Sequence, residues 1–479
     1  VYTTTEAIRP KSQTRLVGAG QGKTVMRFAA DAPSLMLDLS GCEDVEVAGL
    51  TLDGGSSPNA QQGISAGNAR RLRIHHVTVR NLVKGESFGP HGIYFTGINP
   101  TRANGVTDSV ICDCILENIG VDSEWGAGIR LGWGSSRNQV LRNIIHNTGR
   151  GGILCDNGST DLVIQKNRVS GSGGEGLGIE VWGGCDRAVI EDNRVDHWLS
   201  VGGCDYCGVR RNTVSDKSGD YKFAGLEIIG SYCVVTDNRV DDGQQIGISV
   251  SGGPPKDYLF WGYNTVRNCI QWGAQLQGDG EGISCHYFYR CRFLKMPIGR
   301  GRPWYPGDEG NGFRALAKVH HVTLEECEMS ENGRYGVQLV GDNIDFFSFV
   351  RCIIEGNAEA AVAGPSDYTA LEWVGCSAEG NGDDRLPPGK PFPVPGPAAA
   401  FDAAAAVRVG ETVTFTDRSR ARSGIAKALW DFNDGVPATE ASTTHTYQRA
   451  GNYRVTLVVW DAEGRGARAT RWVKVLGAD

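Results

Sequence analysis

Short runs of alternating apolar and polar residues recur along most of the chain, at a spacing of about 25 residues. Residues 178–182 (Gly-Ile-Glu-Val-Trp) and 188–195 (Ala-Val-Ile-Glu-Asp-Asn-Arg-Val) show the pattern, and both are too short for helices. Each unit is therefore predicted to form three short strands. A unit of this size that recurs along one chain indicates a solenoid of stacked coils.

One position of the unit, called the slot here, holds Cys or Asn in seven consecutive coils. These residues are Cys114, Asn143, Asn167, Asn193, Asn212, Asn238 and Asn264. Apolar residues come before them and cysteines after them in the same slot: Leu50, Val77, Cys291, Cys327, Cys352 and Cys376. Because stacking puts each slot residue above the next, an Asn amide there can bond to the backbone and to its neighbour. The spacing predicts an asparagine ladder.

The Gly-Ile-x-Val strand, the Asn turn and the coil length resemble the pectate-lyase-like superfamily over residues 1–381. This resemblance implies a right-handed parallel β-helix, since spacing alone does not give handedness. The predicted fold class is all-β, with about 12–13 coils followed by a small C-terminal β-sandwich.

The C-terminal region follows a different pattern. Residues 412–416, 453–460 and 469–475 alternate like half-buried strands of an antiparallel sandwich. The stretch Trp430-Asp431-Phe432-Asn433-Asp434-Gly435, with His445-Thr446-Tyr447 after it, closely resembles the PKD domain, an immunoglobulin-like module. Asn433 stands where that family usually has Gly, and both residues accept a left-handed backbone. We predict a β-helix domain at 1–382, a Pro-rich linker at 383–397 and the sandwich at 398–479.

Composition narrows the class of partner. A net charge of −7 gives no basic surface for nucleic acid, and no apolar run of 18 residues predicts a membrane span. The resemblance to PKD modules, which occur mainly outside the cell and in bacteria often accompany enzymes acting on polymers, implies a secreted, cell-surface or periplasmic protein.

Fourteen cysteines raise the question of disulfides, but many fall on positions that point into the coil interior. The favoured interpretation is buried unpaired thiols, with disulfides or a zinc site built on Cys204 and Cys207 as alternatives. No cofactor is predicted, and a structural or catalytic Ca²⁺ is the alternative.

Outward positions of the first strand in each coil align into two columns when the coils are superimposed on the slot. The first column is Tyr94, Arg130, Leu154, Glu180, Glu227, Ser249 and Gln275. The second column is Thr96, Gly132, Asp156, Trp182, Ile229, Ser251 and Gln277. Since adjacent coils lie about 4.8 Å apart, the carboxyls of Asp156 and Glu180 are expected within about 5–8 Å, and those of Glu180 and Glu227 about 10 Å apart. Both expected separations overlap the distances between two carboxyl groups that glycoside hydrolysis needs.

The leading hypothesis is a carbohydrate-active enzyme, a glycoside hydrolase acting on a polysaccharide or oligosaccharide. Its predicted catalytic residues are Asp156, Glu180 and Glu227. Arg130 would orient the sugar, and an indole such as Trp182 would stack on it. The full set of predicted substrate-binding residues is Tyr94, Arg130, Trp133, Trp182, Arg302 and Trp304. The last two lie in the longest insert, 292–311, one of several that precede a first strand and are expected to wall this face.

Two other functions fit the sequence. A polysaccharide lyase or C5-epimerase on uronate polymers would use a base and a cation drawn from His91, Tyr94, Arg130 and Lys222. The stretch Gly89-Pro90-His91-Gly92 resembles the Asp-Pro-His-Asp site of alginate epimerases, but glycines replace both acids, so His91 is interpreted as a turn residue. A non-catalytic glycan-binding or adhesion protein is the other alternative.

Overall fold

A computed structural model describes most of the chain. The described residues are 1–29, 34–55, 57–83, 89–121, 123–173, 177–215, 222–242, 244–252, 256–278, 282–300, 305, 307–364, 368–392 and 394–477. They form two compact units, residues 1–204 with 212–227, and residues 205–211 with 228–479. All regular elements in these ranges are strands, and the described part of the chain has no helix that could cross a membrane.

The first strand of each coil belongs to what we call the first-strand sheet, with 13 strands counted over both units. In the first unit its strands are Leu35–Asp38, Gln62–Gly67, His91–Thr96, Ala127–Leu131, Gly151–Cys155, Leu177–Trp182, Trp198–Gly202 and Lys222–Ile229. In the second unit they are Gln244–Ser251, Trp272–Gln277, Asn311–Leu316, Tyr335–Val340 and Ala360–Ala363. Every pairing recorded within each unit is parallel.

The other strands of the coils, 27 over both units, belong to the second sheet. Those of the first unit are Tyr2–Thr4, Arg15–Val17, Val25–Phe28, Glu46–Asp53, Arg73–Leu82, Val110–Cys112, Ile115–Ile119, Gln139–Leu141, Ile144–Thr148, Val163–Gln165, Arg168–Ser172, Val189–Glu191, Arg194–Val195 and Thr213–Ser215. Those of the second unit are Gly208–Arg210, Val234–Thr236, Arg239–Asp241, Lys256–Gly262, Thr265–Arg267, Ile283–Tyr289, Arg292–Leu294, Val319–Glu325, Glu328–Ser330, Ile344–Val350, Ile353–Glu355, Leu371–Val374 and Ser377–Glu379. This arrangement is the parallel β-helix of about 13 turns that the repeat predicts.

Stacked aliphatic side chains fill the interior of the coils. Ile93, Ile129, Ile153 and Ile179 are neighbours in register on successive first strands, and all four are fully buried. Because strand residues alternate between faces, the residue after each isoleucine lies on the outer face of the same sheet. The packing of the core therefore fixes which polar residues share that face.

The predicted asparagine ladder is present in both units. In the first unit, Asn193 donates from Nδ2 to the Asn212 side-chain oxygen at 3.0 Å and to the Ile164 carbonyl at 2.9 Å. Its own Oδ1 accepts from the backbone and side chain of Asn167. The second unit also contains another ladder, which the slot residues do not predict, formed by Asn332, Asn357 and Asn381.

Replacing Asn193 with Ala is expected to lower the free energy of unfolding by about 2 to 4 kcal/mol, because it leaves buried backbone and amide groups without partners. Chemical denaturation of the full chain measures this change. The matched control is Asn59→Ala at an exposed position, which should change stability by less than about 0.5 kcal/mol. Equal losses in the two variants would contradict a structural role for the ladder.

All fourteen cysteines lie in the described part of the chain, and no disulfide joins any two of them. Thirteen are buried, and Cys376 is half-buried. In the second unit the Cys352 amide contacts the Cys376 sulfur at 3.4 Å, so these slot thiols stack as the asparagines do. The interpretation as buried thiols, rather than disulfides, is the one that the structure supports.

The C-terminal region forms two small sheets. One contains Phe401–Asp402, Thr412–Asp417 and Ser442–Thr446, and the other contains Ala406–Arg408, Gly466–Leu476, Gly451–Asp461 and Ile425–Asp431. Trp430, Phe415 and Tyr447 are fully buried between them. Asn433 has a φ of 66°, the left-handed backbone expected where the resembled family has Gly. The predicted sandwich is confirmed.

Within the second unit, the sandwich packs against the second sheet of the coils. Leu429, Val458 and Trp460 form one apolar cluster with Phe260 and Tyr287 of the coils. Nε and Nη2 of Arg210 donate to one carboxylate oxygen of Asp431 at 3.0 and 2.8 Å, and Nη1 donates to the Gly435 carbonyl at 2.6 Å.

Cationic side chains of the sandwich also lie over aromatic rings of the coils. The guanidinium carbon of Arg454 lies 3.6 Å from the Tyr263 ring centre, and that of Arg468 lies 3.3 Å from the Tyr289 ring centre. Such contacts add to the attraction when the cation is shielded from water. The sandwich is therefore held by charge, aromatic and apolar contacts together.

Candidate active site

The first predicted column exists as a row of neighbours on the first-strand sheet of the first unit. Tyr94, Arg130, Leu154 and Glu180 are paired in register, one on each successive strand. Ser200 follows Glu180 in the same row, on the strand Trp198–Gly202. The slot spacing therefore identified the correct face and order of these side chains.

The charged residues on this outer face of the sheet are nevertheless largely buried. Arg130 is 2% exposed, Asp156 is fully buried, and Glu180 and Glu227 are 7% and 9% exposed. Alternation shows which side of a strand a residue occupies, but not what covers it. Here Arg130 and Arg150 neutralise the acids Asp156 and Glu180, which is why the burial of these pairs is tolerated.

Arg130 is at the centre of a buried polar cluster. Its guanidinium donates to the Asp156 carboxylate, and Nη1 lies 3.4 Å from Nε2 of His91. The His91 ring stacks on Tyr94 with ring centres 4.7 Å apart. Burial, with the nearby Arg130 charge, holds the pKa of His91 well below 6.5, so its imidazole is neutral at neutral pH. Burial also raises the pKa of Asp156, although Arg130 opposes that rise.

The interpretation of His91 as a turn residue was wrong. It is the first residue of the strand His91–Thr96, and its side chain is fully buried. Its Nδ1 lies 3.1 Å from Nε2 of Gln62 on the neighbouring strand. The Gly-Pro pair in front of it suggested a loop, but the register of the coil begins the strand one residue later.

Gly132 leaves the space that the Asp156 carboxylate occupies. A methyl group at this position would lie 2.6 Å from Oδ1 of Asp156 and 3.7 Å from Nε of Arg130. Gly132→Ala is therefore expected to displace the buried ion pair and to lower the free energy of unfolding by about 1–3 kcal/mol, as measured by chemical denaturation. The control is Gly202→Ala, whose methyl would meet only Cβ of Trp182 at 3.5 Å. A destabilisation no larger than that of the control would mean that Asp156 has room to move.

Glu180 is held by Arg150, which was not among the predicted site residues. Arg150 donates two hydrogen bonds to the two oxygens of Glu180, each 2.8 Å long. The Trp125 ring lies beside both arginines of the site, 4.9 Å from the Arg150 guanidinium carbon and 6.0 Å from that of Arg130. A bidentate pair of this kind fixes the orientation of the carboxylate.

Glu227 has a different environment from Glu180. It accepts a hydrogen bond of 2.7 Å from Oγ of Ser200, which lies between Glu180 and Glu227 along the sheet. Burial raises the pKa of Glu227 above its ordinary value of 4.5, and the Glu180 charge adds to the rise, while Ser200 and Trp198 oppose it. The row thus contains one glutamate that an arginine holds by two hydrogen bonds and one glutamate whose pKa is raised by burial.

Trp182 provides an open apolar surface beside these acids. It lies two residues after Glu180 on the same strand and is 38% exposed. Its neighbour in register is Gly202, followed by Gly203, next to which there is open space. The absence of side chains at both glycines leaves the indole accessible from this side.

The remaining predicted residues have mixed outcomes. Tyr94 is half-buried in the row, and Trp133 is half-buried just after the strand Ala127–Leu131, with a φ of 55°. Arg302, Trp304 and the side chain of Lys222 lie outside the described part of the structure. Arg150, Trp125 and Ser200 were missed as site residues. The first two precede first strands, where the inserts occur, and that position was the available signal.

No group of three or more His, Cys, Asp or Glu side chains among the described residues is arranged to hold a metal ion. The cations of this site are the guanidinium groups of Arg130 and Arg150, and each is paired with a carboxylate.

Two family models match the chain. Residues 38–195 match the right handed beta helix region, and residues 394–475 match the PKD domain. The protein therefore contains a right-handed parallel β-helix followed by a PKD domain, as the sequence resemblances implied.

The relatives with the higher sequence identities match a small part of this chain. A microbial collagenase of Vibrio alginolyticus is 38% identical over 81 residues, which are 16% of this chain and 10% of the collagenase. The PKD1 domain of the Vibrio cholerae metalloprotease PrtV is 35% identical, with 16% of this chain and 95% of that domain covered and a TM-score of 0.15. A single-site mutant of the periplasmic alginate epimerase AlgG is similar over 77% of each chain, at 12% identity and a TM-score of 0.39.

Proposed function

We propose that the protein is a carbohydrate-active enzyme, a glycoside hydrolase, in which Glu227 is the general acid and Glu180 the general base. The observation that carries this proposal is the contrast between two acids of one row. Burial raises the pKa of Glu227, whereas the side chain of Glu180 accepts two hydrogen bonds from Arg150. Two carboxyl groups in such different environments can divide acid and base roles.

The spacing favours inversion of configuration. Glu180 and Glu227 lie two strands apart, with Ser200 on the strand between them. Two strand spacings correspond to about 9.6 Å, close to the upper end of the separation that leaves room for a water molecule between base and sugar. A retaining enzyme would need its two carboxyl groups only about 5 Å apart.

The other residues of the site have supporting roles in this proposal. Trp182 offers its exposed face to the apolar side of a sugar ring, and the glycines beside it leave room for the chain of the substrate. Asp156 is too deeply buried to touch a substrate, so its role here is to orient Arg130. The predicted catalytic role of Asp156 is thereby reassigned to positioning.

We also propose that the protein acts outside the cytoplasm, on a polysaccharide or oligosaccharide. The PKD match at residues 394–475 supports this setting, because modules of this family occur mainly outside the cell. We likewise propose that the β-helix domain ends at residue 382 and that the linker to the sandwich ends at residue 397.

Product analysis tests the proposed reaction directly. The protein is incubated with a broad panel of polysaccharides, and products are examined for new reducing ends, ultraviolet absorbance and anomeric configuration by proton NMR. The expected result is reducing ends of inverted configuration without the absorbance of an unsaturated sugar. Retained configuration would reject the roles assigned to Glu180 and Glu227, and absence of any cleavage would favour a non-catalytic glycan-binding protein.

A lyase or epimerase on uronate polymers is the second candidate, and the His91 cluster is the observation that favours it. A neutral imidazole can accept a proton, and it lies beside Arg130, a cation suited to a uronate carboxylate, and Tyr94. Both His91 and Arg130 are almost fully buried, which places them behind the surface that a polymer would contact. Unsaturated products, or exchange of a sugar-ring proton with solvent, would establish this second function instead.

A further inference from the structure

A separate cleft of about 570 Å³ opens on the first-strand sheet of the second unit. Arg314 and Gln338 line it from neighbouring strands, and Ala363 is the next residue in their row. Asp308 lines it from the loop before the strand Asn311–Leu316. Ala363, with its small side chain, and Gly364, which has none, line that end of the cleft.

The polar groups of this cleft are fixed by one another. Arg314 donates to Oε1 of Gln338 at 3.0 Å, to Oε1 of Gln275 at 3.3 Å and to Oδ2 of Asp308 at 2.7 Å. Gln338 donates in turn to Oδ1 of Asp308 at 3.2 Å. The guanidinium carbon of Arg314 lies 4.2 Å from the Trp272 ring centre, so the arginine also packs on this ring. Planar polar groups that are already oriented lose little entropy when a ligand binds.

The charges of the cleft balance locally. Arg314 pairs with Asp308, and Arg334 donates from Nε to Oε1 of Glu359 at 2.9 Å. Each of these two arginines is therefore neutralised by an acid, and the described residues of the lining leave no excess positive charge to attract a carboxylate or sulfate group. Tyr335, with its ring 5.0 Å from the Arg334 guanidinium carbon, adds a half-buried aromatic surface to the lining.

We propose that this cleft binds a neutral glycan. The hydroxyl groups of a sugar both donate and accept, which matches the carboxylate of Asp308 and the amide of Gln338, and the Tyr335 ring offers a face for the apolar side of the pyranose. The volume lies within the range of small-molecule sites. This inference goes beyond the hydrolase proposal and does not depend on it.

Ala363→Phe tests the cleft by filling its open end without removing any of its hydrogen bonds. On an array of neutral and acidic glycans, followed by calorimetry with the best neutral oligosaccharide, binding is expected to weaken by at least about tenfold. Gln338→Leu, which removes a polar partner and keeps a similar volume, should produce the same loss. Ile353→Phe is the matched control, because it adds the same ring at an exposed position on the second sheet.

Trp182→Ala separates this inference from the proposed hydrolase site. The cleft is supported if a neutral glycan still binds Trp182→Ala and loses that binding in Ala363→Phe, whether or not any glycan is hydrolysed. Undiminished binding in both Ala363→Phe and Gln338→Leu would overturn the inference. Absence of binding to every neutral glycan, or tighter binding of acidic glycans that Ala363→Phe abolishes, would overturn it as well.

Discussion

Replacing Glu227 with Gln is expected to lower the turnover number on the polysaccharide substrate by about 10²- to 10⁴-fold, the usual contribution of a general acid. The amide keeps the size of the side chain and can still meet Ser200, which donates to Glu227 at 2.7 Å in the wild type. The variant should therefore fold and bind substrate normally. Steady-state kinetics on the cleaved polysaccharide measure the effect.

The leaving group distinguishes an acid from a structural residue. An aryl glycoside with a nitrophenol leaving group needs little protonation, so Glu227→Gln should lose much less activity on it than on the polysaccharide. Equal losses on both substrates would reject the acid role. Glu124→Gln is the matched control, since Glu124 is an exposed carboxylate on a neighbouring loop, and its activity should stay within about twofold of the wild type.

The activity of the wild-type protein should depend on pH in the way that a general acid at Glu227 requires. The acid acts only while Glu227 is protonated, so activity is expected to fall as the pH rises through the pKa of this group. Burial raises that pKa above 4.5, which shifts the alkaline limb of the profile upward from the position of an ordinary glutamic acid. Activity that does not fall on the alkaline side would contradict the assignment.

Replacing Asp431 with Ala is expected to lower the free energy of unfolding by about 3 to 5 kcal/mol, because it leaves the guanidinium of Arg210 buried without its counter-charge. The two side chains are 0% and 2% exposed, and they join the coils of the second unit to the sandwich. Chemical denaturation of the full chain, followed by tryptophan fluorescence, measures the loss. The sandwich should also become more sensitive to protease.

Two controls distinguish the effect of breaking this buried ion pair from the effect of removing any charged side chain. Arg418 pairs with Asp402 on the surface of the same sandwich, with both side chains 61% exposed, and Arg418→Ala should cost less than about 1 kcal/mol. The double variant Arg210→Met with Asp431→Leu should recover much of the lost stability, since no buried charge is left alone. An Asp431→Ala variant as stable as Arg418→Ala would show that the sandwich is not held through this pair.

Much of the fold could be read from the chain. The slot residues from Cys114 to Asn264 gave the period, and the PKD motif around Trp430 gave the sandwich. The two ion pairs of the candidate active site could not be predicted from these patterns. Arg130 meets Asp156 rather than solvent, and Arg150, which precedes a strand, reaches Glu180 on the next coil.

The sequence by itself determined which residues share a face, because backbone hydrogen bonds fix the spacing of parallel strands and alternation fixes the direction of each side chain. Tertiary structure decided which of those residues are covered, paired or accessible. That depends on how inserts and a separate domain pack over the coils, and no local pattern contains this information. Asp431 illustrates the point, since it belongs to the PKD motif and yet its partner Arg210 lies 221 residues away in a coil.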